Sequence, residues 1–256
     1  MSTRLPYGSW PSPISALDVA RSEVDLQEVA IVDGETWWLE SRPEEQGRYA
    51  LMRTDGDGTT EVSPPTWSIR TRLHEYGGSA WVATPAGVVV VRWDDQRLWL
   101  LADEPMALTP LVHGLDLRYA EPVAARDGWL LAVRELHEDG GVSHQVVAVP
   151  LDGSAADDAD AVLVLASGHD FYGAPRLGPD GVTVSYIAWD HPQMPWDGTV
   201  LGLREWRLDG AVGDERVLLG GTAESVLQPE WLDPEHLLCV SDRSGWWNLH
   251  EVGLDG

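Results

Sequence analysis

Short apolar runs recur along the whole chain and are broken by Gly, Asp and Pro. Within a run the apolar positions either alternate or follow one another. These are the patterns of strands buried on one face or on both. No stretch keeps a helical period for long, and the best helical candidate, Pro13–Ser22, is short and at most amphipathic. The runs fall into groups of four: Glu28–Val32, Thr36–Ser41, Arg48–Arg53 and Thr60–Ser63, then Ser79–Thr84, Val88–Trp93, Leu98–Ala102 and Met106–Thr109. A third group reads Tyr119–Ala124, Trp129–Leu136, His144–Val149 and Ala161–Leu165, and a fourth Tyr172–Leu177, Thr183–Trp189, Val200–Leu208 and Glu215–Leu219. A fifth shows only three members, Val226–Trp231, Leu237–Ser241 and Trp247–Val252.

An acidic turn sets the register of these groups. It lies between third and fourth strands at Asp55-Gly56, Asp103-Glu104, Asp152-Gly153 and Asp209-Gly210, and recurs at Asp255-Gly256. Its spacing of roughly 46 to 57 residues lies in the range of four-stranded propeller blades. One twisted blade cannot cover its own faces, so blades come in series. The pattern therefore predicts an all-β chain: a segment over residues 1–23, then a β-propeller of antiparallel blades over 24–256. About five blades are present and the last is incomplete. A boundary inside a sheet would leave an unpaired edge. The expectation is a shortened chain, the rival being a five-bladed ring closed by an N-terminal strand.

Charge narrows the partners. With 17 basic and 42 acidic residues the formal charge is −25, which repels phosphate backbones and anionic membrane surfaces alike. Neither nucleic acid nor membrane is an expected partner. Every basic residue other than histidine is an arginine, Asn248 is the only asparagine and Phe171 the only phenylalanine. A GC-rich coding sequence accounts for these gaps more simply than function does. Met1–Trp10 lacks a basic stretch followed by an apolar one, and Cys239 is the sole cysteine, so a reducing cytoplasm is the expected compartment.

Catalytic chemistry is sparse. A hydrolase nucleophile on a strand-to-helix elbow reads G-x-S-x-G, and the nearest string, Gly77-Gly78-Ser79-Ala80-Trp81, has Trp81 in the last glycine position. No catalytic residue is assigned. His137 and His144 flank a hairpin that includes Glu138 and Asp139, but their spacing matches no zinc pattern, so neither metal nor cofactor is expected and a solvated tip is the simpler reading. The block His74-Glu75-Tyr76-Gly77-Gly78 leads into an innermost strand. There His74, Glu75 and Tyr76 either face a passing peptide or satisfy one another while the glycines allow close backbone approach. The Asp190–Gly198 loop, with Asp190, His191, Trp196 and Asp197, carries two prolines and a rigid aromatic suited to an interface. Trp246-Trp247 should point to opposite faces of a strand, one of them into the core.

Six blocks carry a family resemblance: PYGSWPSPIS at Pro6–Ser15, WWLESRPEEQGR at Trp37–Arg48, RTRLHEYGGSAW at Arg70–Trp81, DFYGAPRLGPDG at Asp170–Gly181, WDHPQMPWDGT at Trp189–Thr199 and QPEWLDPEHLLCVSDRSGWWNL at Gln228–Leu249. Together they resemble the N-terminal half of prolyl-oligopeptidase-family serine peptidases, in the acylaminoacyl-peptidase or dipeptidyl aminopeptidase branch. Gly178 stands where the family's S-P-D-G turn has serine, and Asp233-Pro234-Glu235-His236 replaces the next copy. The resemblance implies a cytoplasmic enzyme whose propeller admits short peptides to an α/β-hydrolase domain, absent from this chain, that holds the triad. On that reading the Asp190–Gly198 loop packs against the hydrolase domain. A stand-alone propeller used as a binding module is the alternative.

An open arc of blades would also either self-associate through its uncovered ends, which the negative charge would oppose, or close by shifting its blades into a tighter ring. Light scattering across a salt series should show association rising as salt screens that charge. A particle that stays monomeric at every salt concentration would contradict the open arc.

Overall fold

The computed structural model describes residues 4–17, 24–126 and 128–255. Residues 18–22 of the helical candidate lie outside them, as does Gly256 of the last acidic turn. Among the described residues, the named helical elements are short 3-10 turns, such as Pro43–Glu45 and Leu73–Glu75. No helix there is long and apolar enough to cross a membrane.

The strands form five antiparallel meanders, each in chain order. The first sheet holds β1 (Leu26–Val32), β2 (Glu35–Arg42), β3 (Arg48–Asp55) and β4 (Gly58–Glu61). The second holds β5 (Trp81–Thr84), β6 (Gly87–Val91), β7 (Leu98–Leu101) and β8 (Met106–Ala107). The third holds β9 (Asp116–Ala124), β10 (Trp129–Glu138), β11 (Gly141–Pro150) and β12 (Leu163–Ser167). The fourth holds β13 (Phe171–Leu177), β14 (Thr183–Trp189), β15 (Val200–Glu205) and β16 (Arg216–Gly220). The fifth has three strands, β17 (Val226–Trp231), β18 (His236–Ser241) and β19 (Asn248–Gly253). The architecture is all-β, made of propeller-like blades.

The chain divides into two compact units, Met1–Val62 and Ser63–Gly256. In the first, β2 alternates cleanly: Trp37, Leu39 and Ser41 are buried, while Arg42 bonds Glu61 at 2.8 Å. In the second, four sheets stack so that β5 neighbours β9, β9 neighbours β13, and β13 neighbours β17. β14 shows why its sequence reads as a continuous apolar run. Val184, Tyr186 and Ala188 pack with Leu131, Val133, Val146 and Ala148 of the third sheet. Ile187 and Trp189, at the alternate positions, pack with Val226, Cys239 and Val252 of the fifth. Both faces are covered, so both parities must be apolar.

The acidic turns lie between third and fourth strands, as the sequence indicated, and aspartates fasten those at Asp55, Asp152 and Asp209. Asp55 Oδ1 accepts the Asp57 and Gly58 N–H groups at 2.8 and 3.1 Å, and Asp209 Oδ1 accepts that of Ala211 at 3.0 Å. A second repeat was not read from the sequence. The first strands β1, β9, β13 and β17 each shift register at a bulge, with Glu28, Glu121, Ala174 and Gln228 at φ near 50°. Pro122, Pro175 and Pro229 follow three of these residues; with no N–H of its own, proline suits a position where the ladder is interrupted.

Three expectations change. The strand expected from Ser79 starts at Trp81, and Ser79 O instead accepts the Glu121 N–H of the third sheet. The strand expected to run to Leu208 ends at Glu205, and Trp206 turns inward with no exposure, its ring under the Arg126 guanidinium at 3.4 Å. Neither tryptophan of the 246–247 pair is in the core: Trp246 is 80% and Trp247 47% exposed.

Trp206→Ala should cost about 3–5 kcal/mol of stability by urea denaturation, since it empties a buried aromatic site and strands Arg126. Trp246→Ala should stay within about 0.5 kcal/mol of the parent. Equal losses for the two would contradict this packing.

Candidate functional site

The segment Arg70–Gly78, before β5, is held in an unusual path by side chains. Thr71 Oγ1 donates to Tyr119 O at 2.6 Å and accepts the Leu73 N–H at 3.1 Å, while Gln96 Oε1 accepts the Arg72 N–H at 2.6 Å. Leu73 is fully buried and anchors the turn in the core. Beyond it His74 and Glu75 both take positive φ, 55° and 68°. Gly77 follows at φ 99°, and a Cβ on Gly78 would lie 3.3 Å from that of Ala120. The glycines therefore serve backbone approach, as one of the two sequence readings held.

Sheet register assembles the polar partners. Glu135 on β10 faces Arg118 on β9 and His144 on β11, which puts all three in one row across the third sheet. Glu135 is 2% exposed and His144 4%, so His144 is a core residue and not part of a solvated tip. Glu135 Oε2 accepts the His74 backbone N–H at 2.6 Å and bonds His144 Nε2 at 2.9 Å. Its Oε1 bonds His137 Nε2 and accepts from Arg118 Nη1 at 3.1 Å. Arg118 also bonds Glu75 Oε1 at 2.7 Å and Asp116 Oδ2 at 3.0 Å. Burial works against the charge of Glu135, yet the hydrogen bonds from His144, His137 and the His74 N–H outweigh it and bring its pKa to about 2. Burial, with help from nearby His144, lowers His74 to about 4, so its imidazole is neutral at pH 7. One donor atom from each of His74, Glu135 and His144 lies within 4.8 Å of the others, a set able to hold a metal ion, as are Glu75, Glu135 and His137.

An aromatic run extends from this cluster to the Asp190–Gly198 loop. The His74 ring lies 5.3 Å from Phe171 and 5.7 Å from Trp189, which stack on each other at 5.2 Å, and His191 stands edge-on to Phe171 at 5.0 Å. Asp190 Oδ1 accepts the Asp170 N–H and its Oδ2 bonds His169 Nδ1, both at 2.7 Å, while Asp170 accepts the His191 N–H at 2.9 Å. The structure thus brings His74, Glu75, Tyr76 and His191 into one neighbourhood, with Asp190 fastening the loop. Trp196 stands apart, 60% exposed, and Asp197 closes its own loop by accepting the Met194 N–H at 3.2 Å. Glu135 and Arg118 were missed by the sequence reading. Their signal was a charged residue at strand positions within apolar runs.

Toward the first strands lies a cavity of about 690 Å³ whose lining includes Glu121, Arg176, Gln228 and Glu230. Arg176 Nη2 bonds Glu230 at 2.7 Å. Burial raises the Glu121 carboxyl above the usual carboxylate range, against the opposing pull of the Ala174 N–H it accepts from the next sheet.

Acid should weaken this unit through two groups of the same sign. His74 is protonated more readily in the unfolded chain, so its contribution is lost as pH falls from about 6.5 to 4. The contribution of ionised Glu135 is complete above about pH 4.5 and is lost as pH falls toward 2, roughly 3 kcal/mol in full. Urea midpoints taken from about pH 3 to 7 in a chelating buffer should give a flatter acid limb for Glu135→Gln than for the parent. Parallel curves would contradict the assignment.

Comparison with protein-family models found no match, and comparison with curated proteins found none. Among solved structures, a puromycin-hydrolysing peptidase of Mycobacterium tuberculosis is 41% identical with a TM-score of 0.89, over 100% of this chain and 41% of that one. A puromycin hydrolase is 40% identical with a TM-score of 0.86, over 99% of this chain and 41% of its own. Oligopeptidase B of Leishmania major, at 11% identity and a TM-score of 0.51 over 91% of this chain and 33% of that one, shares the fold. The chain therefore spans about two fifths of the length of the hydrolases it matches. With blades, sequence blocks and overall identity in agreement, the chain belongs to the prolyl-oligopeptidase family, as a homologue of its β-propeller portion.

Proposed function

We propose that this chain is the substrate-gating propeller of a cytoplasmic serine peptidase of acylaminoacyl-peptidase or dipeptidyl-peptidase type. Its partner is an α/β-hydrolase domain that carries the nucleophile. The observation behind this reading is identity of 40–41% across essentially the whole chain with peptidases in which the matched part is only 41% of the polypeptide. No G-x-S-x-G string occurs in these 256 residues, so acyl transfer by serine, histidine and an oxyanion hole belongs to the partner domain.

On this reading the propeller restricts access by size. The open 690 Å³ recess beside Glu121 and Arg176 is of the order that holds a small ligand or short peptide. Tyr76, 69% exposed beside the neutral His74, and Glu75 then meet the peptide, while the Asp190–Gly198 loop presents Trp196 to the hydrolase domain. His191 and Asp190 hold that loop against Phe171 and Asp170, and Asp197 keeps its tip closed.

The gene product that contains this chain should react with a fluorophosphonate and hydrolyse aminoacyl chromogenic amides. Puromycin is the first natural amide to try, because two relatives are named for its hydrolysis. The 256-residue chain alone should neither react nor turn over substrate. In the longer protein, Trp196→Ala should weaken domain docking by about 2 kcal/mol, read as faster cleavage of bulky substrates. A fluorophosphonate-labelled serine within this chain, or a gene product with no reactive serine, would overturn the reading.

A further inference from the structure

Resting on the gating function above, we propose that Arg72, stacked with Arg70 on the Trp93 ring, binds the terminal carboxylate of a short peptide. Both guanidinium carbons lie against one indole, that of Arg70 5.0 Å and that of Arg72 4.2 Å from its centroid. Two like charges are thereby held no more than about 9 Å apart, each attracted by the ring that separates or flanks them. Arg72 is exposed and, among the described residues, makes no ion pair. Asp94 and Asp95, which follow Trp93 in the chain, are engaged by Arg92 at 3.5 and 3.8 Å. In a chain with 42 acidic and 17 basic residues, a cation without a carboxylate stands out.

The turn that carries Arg72 is fixed before any ligand arrives. Gln96 Oε1 accepts the Arg72 N–H at 2.6 Å, and the Arg72 carbonyl accepts the Glu75 N–H at 2.9 Å and Arg118 Nη1 at 3.2 Å. Thr71 and Leu73 on either side are buried. Trp93 then holds the guanidinium by its face. Stacking uses the π face and leaves the N–H donors at the edge of the plane, where a carboxylate makes two parallel hydrogen bonds. A side chain held in advance loses less rotamer entropy on binding. The bond from the Glu75 N–H closes a single turn over Arg72–Glu75, so this cation shares its turn with residues of the peptide path, and Tyr76 comes next. The formal charge of −25 repels an anionic peptide end over most of the surface, and a paired cation at the path gives that end a place to be received. Every free peptide has such an end, so its recognition reads length rather than sequence, as a size gate requires.

The first measurement uses the 256-residue chain and does not depend on the hydrolase domain. Arginine Nε–H resonances are followed while tri-alanine or tri-alanine amide is added, the Arg72 signal being identified by its loss in Arg72→Lys. Tri-alanine should shift that signal to saturation and the amide should not. No shift with tri-alanine, or the same shift with both, would overturn the site. The second uses the longer protein and compares kcat/KM for alanyl peptides that end in a free carboxylate with that for their terminal amides. The parent should favour the acid about 10-fold through KM, and less so as salt is added. Arg72→Gln should bring the ratio close to one, and Arg72→Lys, which keeps the charge but loses the planar fork, should retain part of the preference. Arg207→Gln, at an exposed arginine on another turn, should keep the ratio of the parent. If Arg72→Gln instead slows acid and amide equally through kcat, the arginine serves a carboxylate of the hydrolase domain and the proposal falls. A longer protein with no reactive serine would sink the gating function alone, and the resonance titration would still decide this site.

Discussion

Within the Ser63–Gly256 unit the third and fourth sheets, which have a neighbour on each side, must find cover for both of their faces, and much of the rest follows from that requirement. A four-stranded antiparallel sheet has two faces and no helix here to cover either. Its neighbours therefore do so, and apolar side chains must occupy both parities of strands such as β14. At ~25 cal/mol per Å² of apolar surface removed from water, the interface between third and fourth sheets outweighs any ion pair on the surface. Trp206 and Arg126 close that interface at its outer side, and Leu73 plugs it near the turn before β5.

Stacking brings first strands side by side, and the repeated bulge is how their backbones are accommodated. At φ near 50° the bulged residue is unpaired in its own ladder, which frees its groups to bond across sheets. Glu121 shows the consequence. Its N–H donates to Ser79 O at 2.8 Å and its carboxylate accepts from Ala174, so one residue ties the segment before β5 and the fourth sheet to the third. The same geometry points polar groups into the cavity, where a carboxyl kept above its ordinary pKa and the Arg176–Glu230 pair give the walls their chemistry.

The His74 cluster sits where the turn before β5 meets the third sheet. A polar row within a stacked sheet is costly unless every member is bonded. Glu135 satisfies four donors at once, and what remains unsatisfied is confined to two imidazole nitrogens. Position and chemistry together make this the richest site in the unit, close to the exposed Tyr76 and linked by aromatic contacts to the loop that carries Trp196.

By itself the sequence determined the fold class, the blade count and most strand limits, because both-face burial writes itself as short apolar runs and the acidic turns at Asp55, Asp152 and Asp209 make their Asx bonds locally. The family blocks were equally plain, since they depend on residue order alone. Tertiary structure decided the rest. Nothing local marks Glu135 as the acceptor for His74, 61 residues earlier, because that bond exists only through sheet stacking. His144 looked like part of a solvated hairpin until register placed it opposite Glu135 in the core. Trp206 looked like the continuation of a strand and instead turns beneath Arg126, whereas one of Trp246 and Trp247 was expected in the core and both lie exposed. Strand periodicity reports which parity a residue has; which parity is covered depends on what the neighbouring sheet supplies.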